Sequence, residues 1–208
     1  MEKEKQFSKK ELAKAILFLV VAMVLSFSIK DVIDAFAEAF LPQGEVLLQI
    51  PEQKEKTGRT VMIVWEGNSK ELFKLFRQRI NNNPGGTGWE YIEGQEGVSW
   101  TRIVSSQPGA RIGITSRKNP DYFITVLKSR WNDDFEMVVD GGEPERINCY
   151  DENTDGELLR IYPYKDYTIK RNLKIIFHLI AFISFYAYLR AFVIWLHHDD
   201  SENNEARL

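Results

Sequence analysis

The chain has almost no cysteine: Cys149 is the only one in 208 residues. No intrachain disulfide can form, and neither a CxxC redox motif nor a cysteine zinc site exists. Histidine is nearly as scarce. Its three copies, His178, His197 and His198, all lie near the carboxyl end, so the middle of the chain has no histidine for a Ser-His-Asp or Cys-His arrangement or for a histidine metal site. An excess of positive charge is missing as well. With 27 basic against 30 acidic residues the net charge is -3, which supplies no general attraction for nucleic acid and sets that partner aside. Phosphate loops are absent, because Asn83-Pro-Gly-Gly-Thr-Gly88 leads into an aromatic, strand-like segment and not into a Lys-Ser/Thr helix start. No Asn-x-Ser/Thr sequon occurs. A domain outside a cell with neither disulfides nor sequons fits a bacterial envelope better than an animal cell surface.

What the chain does have is two dense apolar blocks flanking a middle section of ordinary soluble character. Residues 15–29 carry no charge and lie between Lys14 and Lys30. At about 1.5 Å rise per residue, and with lysine stems snorkelling at both ends, this block approaches the roughly 30 Å hydrocarbon thickness of a bilayer. A transmembrane anchor is the preferred reading. The competitor is a cleavable signal peptide ending at Ala35-Phe36-Ala37, but that site follows a charged, helix-prone segment too far past the apolar core. Ile29, Val32, Ile33, Phe36 and Phe40 recur at helical spacing, so the helix is predicted to continue to Pro42.

The second block, residues 173–196, contains Lys174, His178 and Arg190. Taking the span from Arg171 to Arg190, roughly 28 Å at helical rise, leaves Arg171 and Lys174 at one interface and Arg190 at the other. Residues 191–198 then form an interfacial end with Trp195 at headgroup depth, and 199–208 form a solvated tail. His178, about two turns inside, reads as a hydrogen-bonding partner for a neighbouring helix. Lys3, Lys5, Lys9, Lys10 and Lys14 precede the first helix and only Lys30 follows closely. The positive-inside tendency therefore predicts a two-pass plasma-membrane protein with both termini cytoplasmic. Lys165, Lys170, Arg171 and Lys174 argue the other way, but the first span usually dominates. The predicted organisation is a cytoplasmic amino terminus 1–14, a first transmembrane helix with extension 15–41, an extracytoplasmic domain 42–168, a second transmembrane helix 169–198 and a cytoplasmic tail 199–208.

Short β-rich runs fill the middle: 45–50, 60–65, 99–105, 111–115, 122–127, 135–139, 146–150 and 158–162. Breakers such as Gln107-Pro-Gly109, Lys118-Asn-Pro120, Asp140-Gly-Gly142 and Asp155-Gly156 separate them, a rhythm that predicts a mainly β, antiparallel sandwich or barrel. Residues 69–80 are ambiguous. Leu72, Phe73, Leu75, Phe76 and Ile80 have helical spacing after a potential Ser69 cap, and a helix at the edge of the sandwich is preferred over a strand.

Gly88-Trp-Glu-Tyr91, the run 122–127 and Glu157-Leu-Leu-Arg-Ile-Tyr-Pro163 together resemble the jelly-roll modules found beside bacterial cell-surface glycan machinery, in which a late strand carries a Leu-Arg-Ile-x-Pro run. The resemblance covers most of the middle section. It implies a jelly-roll-like sandwich related to carbohydrate-binding domains, and binding or assembly rather than bond breaking. The chain departs from it in carrying Tyr162 before the proline, and no sugar-contacting residue carries over by position.

Asp151-Glu-Asn153-Thr-Asp155-Gly156 places oxygen ligands at alternate positions and glycine sixth, like the opening of a calcium loop. Its twelfth position is Tyr162 instead of a bidentate glutamate. A tight Asp-Gly turn explains the same letters with less machinery, so Ca2+ on Asp151, Asn153 and Asp155 is the lesser reading. Among the tryptophans, Trp65 and Trp100 read as core. Trp89 and Trp131 sit beside glycine and Asn/Asp turns and are predicted to be exposed, where an indole can stack on a sugar ring. Trp131 with Arg130, Asn132 and Asp133 is the first choice for a ligand site, with Trp89 second. Carboxylates for a glycosidase pair exist among Asp133, Asp134, Glu136, Glu143 and Glu145, but they read more simply as surface charges.

The resulting expectation is a non-catalytic, membrane-anchored accessory or binding subunit of the cell envelope. Its outer domain recognises a glycan or protein. Its helices, offering Ser184, Tyr186 and Tyr188, dock to an integral membrane enzyme or transporter. The alternatives are an extracytoplasmic carboxylate-dependent hydrolase and a sensor or scaffold protein.

Overall fold

A computed structural model describes residues 9–52, 59–65, 70–94, 100–154 and 156–205. The elements in chain order are α1 (Lys9–Ser28), α2 (Lys30–Ala39), β1 (Gln43–Gln49), β2 (Val61–Val64), α3 (Lys70–Asn82), β3 (Glu90–Ile92), β4 (Arg102–Ser105), β5 (Arg111–Arg117), β6 (Ile124–Lys128), β7 (Phe135–Val139), β8 (Glu145–Ile147), β9 (Glu157–Ile161) and α4 (Thr168–Glu205). They divide between two units, Leu41–Tyr167 on the one hand and Met1–Phe40 with Thr168–Leu208 on the other.

In the first of these units period-two alternation sets the strands. Val46 and Leu48 of β1 are buried while Glu45 is exposed and Leu47 half-buried, and Ile112 and Ile114 of β5 are buried on either side of the half-buried Gly113. The strands form two antiparallel sheets, one in the order β5-β1-β7-β8 and the other β3-β4-β2-β6-β9. Both sheets feed one buried cluster. Val46, Leu48, Ile112 and Phe135 meet Ile63, Ile103 and Val126 there, and α3 adds Leu72, Phe73, Phe76 and Ile80. The helical spacing in that segment is thus realised as a helix with one buried face; Ser69, its potential cap, lies outside the described residues. Burying each large side chain contributes about 1.5–3 kcal/mol. Among the described residues nine strands form where eight runs were predicted, because β3 also pairs, Tyr91 opposite Ile103.

Turn chemistry agrees with the letters at the end of β7. Asp140 and Gly141 both have positive φ, 54° and 68°, and the Gly142 N–H donates to the Val139 carbonyl at 3.0 Å, as a type I′ turn requires.

In the helical unit, α4 has a 27-residue stretch, Thr168–Ile194, long and apolar enough to cross a membrane. Ala13–Ser28 and Lys30–Ala39 meet that standard only together, and they are bent by 60°. The continuous first helix expected to reach Pro42 is therefore broken at Ile29. Two hydroxyls supply the reason: Ser26 Oγ donates to the Met23 carbonyl at 2.8 Å and Ser28 Oγ to the Val24 carbonyl at 2.9 Å, back-bonding that bends helices. α2 packs on α4 through Phe36 and Phe40, whose rings lie 6.1 and 5.5 Å from that of Phe177. The Lys174 ammonium lies 2.8 Å from Asp34 Oδ1, so the charge in the second apolar block has a partner. α4 continues to Glu205, through the segment predicted as a solvated tail.

Candidate functional site

The Trp131 turn is built by hydrogen bonds from three separate stretches of chain. The Asn132 N–H donates to the Ser129 carbonyl at 3.2 Å and closes the turn, and the Trp131 N–H donates to Ser129 Oγ at 3.2 Å. The turn is fastened on one side by Ser129 N–H to the Cys149 carbonyl at 3.0 Å and Asp151 N–H to the Ser129 carbonyl at 3.3 Å. On the other side the Thr60 N–H donates to the Trp131 carbonyl at 3.3 Å, and the Asp133 N–H to the Thr60 carbonyl at 3.0 Å. Asn132 sits beneath at 1% exposure, its amide donating to the Leu127 carbonyl. It holds the turn from below.

Above this base Trp131 is 69% exposed. The Arg130 guanidinium lies 5.3 Å from its ring centroid, within cation-π range. Close by in the chain's bridge pattern, Tyr150 pairs with Ser129 and carries the Arg59 guanidinium 3.7 Å over its ring. Asp134 ties the next stretch: Oδ2 accepts from Arg146 Nε and Nη2 at 3.2 and 3.0 Å, and Oδ1 accepts the N–H groups of Cys149 and Tyr150 at 3.0 and 3.3 Å. Cys149 is fully buried, and its thiol is pushed up to about 12 by burial, with Asp134 and Asp133 adding to the effect.

Of the residues predicted to form a ligand site, Trp131 and Arg130 face solvent together. Asp133 is half-buried and accepts the Asp134 N–H at 3.1 Å. Trp89 must be corrected. It is 1% exposed and belongs to the core cluster, so its ring presents no face to a ligand. The alternation Trp89-Glu90-Tyr91 explains this: Glu90 is exposed, and Tyr91 packs inward against Phe73 at 6.4 Å, so Trp89 shares the inner parity. Trp100, predicted as core, is 50% exposed, because β4 turns Ile103 and Ser105 inward and Trp100 has the opposite parity. Trp65 is half-buried, 5.4 Å from the Phe73 ring.

The chain matches no protein-family model, no curated protein and no solved structure.

At the candidate calcium loop, Asp151 Oδ1 accepts the Asn153 N–H at 3.0 Å and Oδ2 lies 3.0 Å from Lys128 Nζ. The Asn153 N–H and then the Lys128 ammonium hold this carboxyl below the usual carboxylate range. One oxygen is engaged by the turn's own backbone and the other by Lys128 of β6. Asp155 lies outside the described residues, and among the described residues no three His, Cys, Asp or Glu side chains converge. The other carboxylates take separate partners: Glu136 accepts from the Gln49 amide at 2.6 Å and Glu145 from Lys165 at 3.2 Å.

Two of the openings in the β unit, both unread in the sequence, join distant segments. One is an aromatic groove of about 450 Å3 lined by Pro120, Ile147, Leu159, Tyr162, Tyr164 and Tyr167. The other is a polar pocket of about 320 Å3 between α3 and the outer side of β1 and β5. Each joins residues far apart in the chain, which no local pattern reports.

Proposed function

We propose that the chain is a non-catalytic binding module anchored in a membrane, and that the Trp131 turn is its contact surface for a glycan or a protein. The observation that carries this reading is a large indole 69% exposed on a turn fastened from both sides. A rigid exposed aromatic offers contact area with little conformational entropy to lose on binding. Arg130 beside the ring supplies hydrogen-bond donors for hydroxyl or carboxylate groups.

Anchoring rests on the apolar stretch Thr168–Ile194 and on the bent pair α1–α2. The five lysines ahead of the apolar block 15–29 favour a cytoplasmic amino terminus, and with two spans an extracytoplasmic middle domain, which we read as jelly-roll-like, and a cytoplasmic carboxyl terminus. Exposed aromatics on α4, Tyr188 and Phe192 stacked at 6.5 Å, offer a surface for an integral membrane partner such as an envelope glycan enzyme or transporter. Purification from the native membrane in mild detergent, with mass spectrometry of stoichiometric companions, tests the partner. A membrane enzyme or transporter at fixed ratio is the expected result. The ligand surface is tested with Trp131→Ala, which should abolish glycan or partner binding without loss of folding. Unchanged binding by that variant would remove the Trp131 turn from the reading.

A further inference from the structure

Gly113 stands at the centre of β5, opposite Leu47 of β1, on the outer side of the four-stranded sheet. Glycine weakens a strand interior, where it has no side chain to pack and more backbone freedom to lose. Two structural needs ordinarily account for it, a left-handed backbone or a lack of room. Neither operates here. The positive-φ glycines among the described residues are Gly85, Gly88, Gly109, Gly141 and Gly156. A Cβ on Gly113 would meet only Glu45 Oε1 at 3.4 Å and Leu47 Cδ1 at 3.6 Å, an ordinary fit. Gly44, its neighbour in the same sheet, shows the contrast: a Cβ there would come within 2.6 Å of Asp140 Oδ1, 2.7 Å of Lys118 Cε and 2.8 Å of the Tyr164 hydroxyl. A side chain at Gly44 would have to displace the Asp140–Lys118 ion pair and the Tyr164 hydroxyl, whereas Gly113 has room for one. The β1–β5 register runs unbroken from Gln43↔Arg117 to Gln49↔Arg111, which leaves no bulge at Gly113, and a strand glycine also marks a place where a ligand or another backbone approaches closely.

Gly113 lies in the wall of the polar pocket of about 320 Å3, which α3 completes with Gln78, Arg79 and Asn82 and the sheet with Glu45 and Thr115. Two amides that both donate and accept, a guanidinium that only donates, a carboxylate that only accepts and a hydroxyl that does both make a mixed set. Hydroxyl groups, which donate and accept at once, satisfy such a set. A phosphate is disfavoured by Glu45, and an apolar ligand finds little beyond Leu75 and Ile114. We infer that this pocket binds a carbohydrate, with a sugar ring laid against the bare backbone at Gly113. The inference does not depend on the Trp131 turn, and the two sites are separable by mutation.

The test uses the purified full-length chain in detergent on an array of neutral and uronate-containing oligosaccharides. At least one saccharide should bind, and Gly113→Val, a residue suited to a strand, should weaken binding at least tenfold by filling the pocket. Arg79→Ala and Gln78→Ala change exposed side chains on α3; they should weaken the same saccharide several-fold while the melting temperature holds, which covers the case in which Gly113→Val disturbs folding. Trp131→Ala should leave this binding intact. An array without a bound saccharide overturns the inference, and so does binding that survives both α3 variants. Loss with Trp131→Ala alone moves the carbohydrate to the turn and overturns the pocket while supporting the earlier reading.

Discussion

Trp89 and Trp131 have similar local settings and opposite fates. Each stands beside turn residues, Gly88 on one side of the comparison and Asn132-Asp133 on the other, yet Trp89 is 1% exposed and Trp131 69%. Trp89 leads into β3, where strand alternation turns it toward α3 and the core. Trp131 occupies the tip of a turn whose inward position is already taken by Asn132. The turn signal marks where the chain reverses; the parity of the nearest strand decides which side chain goes in. Gly44 and Gly113 repeat the lesson, one crowded and one with room to spare.

The sharpest test of the contrast is truncation. Trp89→Ala should destabilise the protein by about 3–5 kcal/mol by leaving a cavity, whereas Trp131→Ala should change stability by no more than about 0.5 kcal/mol. Denaturant titrations of the two variants followed by tryptophan fluorescence measure both, and equal losses would break the comparison. Asp134→Ala comes next. Its carboxylate satisfies the Cys149 and Tyr150 N–H groups, so removal should cost about 1–3 kcal/mol and loosen the Trp131 turn, visible as faster hydrogen exchange at residues 149–151. Between the glycines, Gly44→Ala should destabilise by about 1–3 kcal/mol through overpacking, while Gly113→Ala should be neutral or stabilise by up to about 1 kcal/mol. A destabilised Gly113→Ala would mean that the strand, and not a ligand, needs the glycine.

Titration gives the smallest effects. Burial raises the Asp140 carboxyl, but the Lys118 ammonium and the Glu45 N–H outweigh it and hold it below its ordinary value; Asp151 is held low by the Asn153 N–H and Lys128. Carboxyls lowered by folding contribute stability that is complete above the unfolded value near ~3.9 and lost as the pH falls through the folded values. Melting temperature should therefore fall on acidification below about pH 4, and the fall should be shallower in Asp140→Asn. The Cys149 thiol, pushed up to about 12 and fully buried, should resist a thiol reagent at neutral pH and react once the chain is unfolded. Rapid labelling of the folded protein would show that the floor of the Trp131 turn opens.

The strands whose alternation is clean were legible in advance. β1, β5 and β7 lie within one or two residues of the predicted runs, the breaker Asp140-Gly-Gly142 falls between β7 and β8, and α3 followed from Leu72, Phe73, Phe76 and Ile80. The bend at Ile29 was written in Ser26 and Ser28, two hydroxyls placed to bond back to the preceding turn, and was not read. Trp89 was legible too, had the Trp-Glu-Tyr alternation been weighed above the glycine before it. The partner of Lys174 was not legible, since Asp34 lies well over a hundred residues away in the chain.

By itself the sequence determined α3, most of the strands, the positions of the turns and the two apolar blocks, because periodicity and turn preference act over a few neighbouring residues. Only the tertiary structure decided how the strands divide between the two sheets, that Asn132 supports Trp131 from below, and that Gly113 lies open beside Gln78, Arg79 and Asn82. Those arrangements depend on contacts between distant segments, and no local spacing carries the geometry of a partner that arrives from elsewhere in the chain.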